Sequence, residues 1–114
     1  MVWEVIFMTV AGLSEGVMDY LQFRYDGESK FWNPELSWVN KWKDRDPRKG
    51  ERFFLSSTAL VFLTDGWHLM KWVRNRSIDC VLFSFGGIWF LLIARAFYYL
   101  AFNLFFNKWN GFLK

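Results

Sequence analysis

CVLFSFGGIWFLLIARAFYYLAFNLFF, residues 80–106, is apolar throughout apart from Ser84, Asn103 and one charge, Arg95. A hydrocarbon core of about 30 Å needs about 20 helical residues. The stretch exceeds that length, so it predicts a membrane helix that tilts or protrudes. Sequence alone leaves open whether it forms one helix or a broken pair. Working outward, Val73–Asp79 reads as a short basic turn. Before it, residues 53–72 open as FFLSSTALVFL and close on TDGWHLMKW, the length of a second span. Residues 24–52 are polar, and residues 2–23 form a further apolar segment that turns mixed from Ser14 onward. The expected architecture is all-α: a single membrane domain of three transmembrane helices, near 2–23, 53–72 and 80–106, with an amphipathic loop over 24–52.

Composition points the same way. The chain has 114 residues, 54% of them hydrophobic and 23% aromatic, with 14 Phe and 8 Trp. A soluble domain of this size could not bury so many large rings without leaving sticky patches. The mean hydropathy of +0.07 is low only because a highly charged segment separates the apolar blocks. The net charge of +3 is not a nucleic-acid signal, because basic and acidic residues alternate in the loop and form no phosphate-tracking stripe. Cys80 is alone, which excludes an intrachain disulfide and multi-cysteine metal motifs. The start lacks the basic region of a signal peptide, with Glu4 in its place.

Lys and Arg in short loops set orientation. The loop over 24–52 and the tail hold ten of them, against three in Lys71, Arg74 and Arg76. The count predicts a cytoplasmic loop and C-terminus, with the N-terminus outside. Within the loop, FWNPELSWVNKWK reads as a short interfacial helix, capped by Asn33 with Pro34 at its first position. Trp32, Trp38 and Trp42 suit the headgroup zone as anchors. A surface that docks a partner or reads headgroups is the sharper alternative.

Charges inside apolar segments are the best pointers to function, since each costs about 2.5–3.5 kcal/mol on insertion scales. Glu4, Met8, Ala11, Glu15 and Gln22 share a sector of the first helix, with Asp19 adjoining, so an acidic stripe is expected to avoid lipid. Gly12 and Gly16 beside it form a G-x-x-x-G pair that admits a close helix contact. Measured from the outer ends of the spans, Glu15 and Arg95 lie roughly 20 and 22 Å deep, which predicts that they pair, with Asp19 near. Asp65 and His68 lie only about 10 and 6 Å deep and are expected to form a separate outer polar site.

Glu15, Asp19, Asp65 and His68 resemble the donor set of a carboxylate-rich metal centre, but they fall in two layers roughly 10–15 Å apart, too far for one ion. No metal site or cofactor is therefore expected. A Ser/His/Asp hydrolase would need Ser14, Ser56, Ser57 or Ser84 to converge on His68, and none lies in a nucleophile-elbow pattern. No catalytic residue is assigned.

The strings FWNPELSWVNKWKDRDP and FLTDGWHLMKW, with GVMDYLQF, resemble those of a group of small bacterial membrane proteins; the likeness covers residues 15–72. The resemblance implies a bacterial inner-membrane setting and brings no activity, cofactor or partner. Three classes of function follow. The first is an accessory or structural subunit of a larger membrane complex, or a homo-oligomer, with buried charges fixing helix packing. The second is a lipid-headgroup, ion or proton site between helices. The third is an intramembrane enzyme.

Overall fold

The computed structural model describes residues 2–109 and Gly111. Two helices dominate it: α1, Val2–Phe23, and α2, Gly66–Leu104, the latter followed by a π-helical turn, Phe105–Trp109. Between them lie turns and three short 3₁₀ segments, Lys43–Arg45, Pro47–Lys49 and Val61–Leu63. Among the described residues there is no strand, only an isolated antiparallel bridge between Trp42 and Glu51. The all-α class is as the sequence predicts.

α1 keeps the limits expected of it, because residues 2–23 contain no proline and the Asp26-Gly27 pair follows its end. Ala11, Ser14, Met18 and Leu21, spaced three and four apart, form its buried face. They pack on α2, whose buried residues include Ser77 and Val81. Ala11, Ser14 and Ser77 are small, so the helix axes can approach closely. The Ser14 hydroxyl donates to the Val10 carbonyl at 2.8 Å and so needs no partner across the interface. The helices run antiparallel: Ser84 Oγ donates to Glu4 Oε1 at 2.5 Å near one end, and Arg74 lies 3.6 Å from Glu15 nearer the other.

The stretch over 80–106 is neither a straight helix nor a span of its own. α2 carries it, and Gly86 (φ −152°, ψ 15°) and Gly87 (φ 72°, ψ −166°) break the helix into arms over 66–85 and 88–104. A side chain at 87 would be strained by its positive φ, and a Cβ at 86 would come within 2.5 Å of the Phe90 Cβ. The chain therefore doubles back. Arg95 Nε lies 2.5 Å from Asp79 Oδ1, whereas sixteen residues of unbroken helix would separate them by about 24 Å. A straight helix over 66–104 would also reach about 58 Å, more than the 44 Å longest extent of the molecule.

The expected span over 53–72 is a correction. Residues 53–60 are bends and turns, with Leu55 at φ 61°, Val61–Leu63 is a short 3₁₀ segment, and α2 begins only at Gly66. The cause is local competition for backbone groups. Ser56 Oγ accepts from the Phe53 N–H and donates to the Lys41 carbonyl. The Glu51 carboxylate accepts from the N–H groups of Leu55 and Ser57 and from the Ser57 hydroxyl. Residues 73–79, read as a turn between spans, are helical instead. The interfacial helix is also replaced by successive turns over 30–41, though Asn33 does cap: its Oδ1 accepts from the Glu35 N–H at 2.9 Å.

Apolar surface is exposed on a large scale. The buried hydrophobic residues are Ala11, Met18, Leu21, Val39 and Val81, while Trp3, Phe85, Trp89 and Phe97 are each at least 67% exposed. Among the described residues one helical stretch, Gly66–Lys108 with its glycine break, is by length and composition long and apolar enough to cross a membrane.

Candidate binding site in the loop layer

The segment between α1 and α2 folds into a layer at the loop end of the helices, and its anchor is Asp65. This residue is fully buried. It is the N-cap of α2: its carboxylate accepts from the His68 N–H at 2.9 Å, lies 2.6 Å from His68 Nδ1, and accepts from the Thr64 hydroxyl at 3.0 Å. Burial pushes the Asp65 pKa up, but these hydrogen bonds outweigh it and hold the carboxyl below its ordinary value. The Gly66 N–H donates to the Phe31 carbonyl at 2.6 Å, and the Trp32 ring occupies the space that a Cβ on residue 66 would need.

Further bonds hold the layer together. Asn40, which is buried, donates from Nδ2 to the Lys30 carbonyl at 3.0 Å. Ser56, also buried, donates to the Lys41 carbonyl at 2.7 Å. The Arg52 N–H reaches the same carbonyl at 2.9 Å. The Trp42–Glu51 bridge closes a tight loop in which Asp44 and Arg45 take left-handed backbone angles, φ 49° and 59°. Such conformations cost free energy and persist only where the surroundings impose them.

These elements enclose an open cavity of about 620 Å³, lined by Lys30, Phe31, Asn40, Trp42, Asp44, Arg45, Arg52 and Thr64. Its one acid, Asp44, is taken by Lys49 at 3.1 Å. Two other acids of the loop, Asp46 and Glu51, also have partners. Asp46 binds Arg48 at 3.2 Å, and the Ser57 hydroxyl leads the contacts that lower the Glu51 pKa. Lys30, Arg45 and Arg52 have no carboxylate partner among the described residues.

The candidates from sequence are distributed differently. Arg95 does not meet Glu15. It pairs with Asp79 and donates from Nη2 to the Asn75 carbonyl at 2.8 Å, and Asp79 also holds Arg76 at 2.8 Å. Glu15 pairs with Arg74 instead, and Asp19 is exposed. Asp65 and His68 do meet, as a helix cap. Trp32 packs inside the layer, Trp42 lines the cavity with Lys41 5.7 Å from its ring, and Trp38 stays exposed. Gly12 and Gly16 point outward, with nothing within 4 Å of the Cβ each would carry. Among the described residues no three His, Cys, Asp or Glu side chains gather as a metal donor set. The four serines that a hydrolase would need are all committed elsewhere, to Val10, Lys41, Glu51 and Glu4.

Sequence reasoning missed Lys30, Asn40, Arg45, Arg52 and Thr64. The alternation of charge over 41–52 reads as a solvated run, and only the backbone reversal at Asp44 and Arg45 sorts paired charges from unpaired ones. Comparison with protein-family models, curated proteins and solved structures finds no match to this chain.

Proposed function

We propose that the protein is a small accessory subunit of the bacterial inner membrane, crossing it three times through α1 and the two arms of α2. The observation that carries the subunit reading is the outer face of α1. Gly12, Glu15, Gly16 and Asp19 lie together there, exposed among the described residues. Glu15 is 60% exposed despite its contact with Arg74. It lies about 12 Å inside the helix from its loop end. Carboxylates on a membrane helix do not stay against lipid, and a small-residue strip lets another backbone approach. A helix of a partner, or of a second copy, fits that face.

The distribution of aromatic and basic residues supports the spanning arrangement. Trp3 and Trp89 lie at the tip end, and Tyr20, Trp67 and Trp72 near the loop end. The distance along α1 from Trp3 to Tyr20 is about 25 Å, close to a hydrocarbon thickness. The tip, residues 80–94, carries no Lys or Arg, whereas the loop layer is rich in both, which favours a cytoplasmic loop. An ion or proton path between the helices is less well supported, because Arg95, Asp79 and Arg74 are spent in pairs.

Native mass spectrometry after gentle extraction tests the subunit reading. The expected result is a 13.8 kDa chain bound to another chain or to itself. Gly16→Leu and Asp19→Lys should each release it without lowering its own thermal stability. A chain that is monomeric and free of companions under all mild detergents would remove this reading.

A further inference from the structure

We propose that the loop-layer cavity binds a phosphate group, presented by an anionic lipid headgroup. The inference rests on the cavity and not on what covers α1. Lys30, Arg45 and Arg52 line one space, whose one acid, Asp44, is paired with Lys49; beside it Asp46 is paired with Arg48, while Glu51, held by neutral groups, keeps its charge. Three cations against one acid leave the lining with a net positive charge. Two guanidinium forks and an ammonium match a phosphate, which accepts several hydrogen bonds at once. A volume of about 620 Å³ lies within the ordinary range for small-ligand sites.

The walls are preformed. Asn40 and Ser56 are buried and tie the strands of the loop together, and Thr64 in the wall is held by the Val61 carbonyl and by Asp65. Little backbone ordering is left for a ligand to impose, and the ordering cost falls on the exposed Lys30, Arg45 and Arg52 side chains. The choice of a lipid over a free anion comes from place. The cavity sits at the loop end of the apolar helices, in a layer that exposes Trp38 (62%) and Phe54 (80%). Rings of this kind settle at the headgroup level, and basic clusters beside membrane helices bind anionic lipid.

The full chain in neutral detergent, titrated with phosphatidylglycerol, phosphatidylcholine or inorganic phosphate and read by native mass spectrometry and calorimetry, tests this. Phosphatidylglycerol should bind at least about tenfold more tightly than phosphatidylcholine, and Arg45→Gln/Arg52→Gln should abolish the preference. Asp44→Asn, which suits the left-handed backbone there, should instead tighten binding by about threefold. Arg24→Gln, which neither lines the cavity nor pairs with an acid among the described residues, should change nothing. Equal retention of both lipids alongside phosphate binding with the same variant pattern would overturn the lipid source and leave a free-anion site. Equal retention with no phosphate binding, or an equal loss in Arg24→Gln, would overturn the site itself.

Discussion

Asp65 shows how one residue can be located by sequence and still be misjudged. Its place among apolar residues marks it as a costly charge, and the length of 53–72 makes that charge look intramembrane. The structure makes it a helix cap instead, and the signal was present as Asp65 followed three residues later by a hydrogen-bonding His68. Asp65→Ala should cost about 1–2 kcal/mol, the scale of a lost cap, read as a shift in the denaturation midpoint followed by tryptophan fluorescence. Its lowered pKa gives a pH test with a definite sign. A carboxylate whose folded pKa lies below the unfolded value of about 3.9 stabilises the fold above that pH, and the contribution fades as pH falls further. The wild-type protein should therefore lose stability below about pH 4 more steeply than Asp65→Asn does. Equal slopes would mean that the Asp65 pKa is the same in the folded and unfolded states.

At the scale of elements, α1 was legible in full because nothing interrupts it, and α2 was not. The Ser56-Ser57-Thr58 run hides in an apolar segment, and Glu51, which draws it out of helix, lies outside any window that a periodicity reading covers. The Gly86–Gly87 reversal is equally hidden, since glycine is frequent in membrane helices and no single sequence marks which pair breaks one. With the span limits displaced, the depths assigned to Glu15 and Arg95 no longer bear on each other, and Asp79, taken for a loop residue, becomes the partner. Gly87→Ala should cost about 1–3 kcal/mol, the penalty of a Cβ at backbone angles that essentially only glycine adopts. A double-mutant cycle on Asp79→Asn and Arg95→Gln should return a coupling of about 1–3 kcal/mol, and additivity would show that the two arms are not joined there.

For the whole molecule, the lengths of the apolar segments pointed to the all-α class, and composition to the surplus of apolar surface, which follows from residue totals rather than from boundaries. The route of the chain could not follow from totals: Arg74 to Asp79 read as a loop until their charges were seen to be paired along and between helices. The proposed arrangement makes a direct prediction of sidedness. In a Cys80→Ala background, Ile88→Cys at the tip and Arg48→Cys in the loop should react with an impermeant maleimide from opposite faces of a sealed vesicle. Labelling of both from one face would mean that the bundle does not cross. The two-glycine turn also bears on how such a chain reaches its place. An apolar hairpin closed by so small a tip has no hydrophilic connection to carry to the far side, and Arg95 can arrive there already neutralised by Asp79. The arms over 66–104 would then be delivered as one preassembled unit, with the loop layer never leaving the compartment in which it was synthesised.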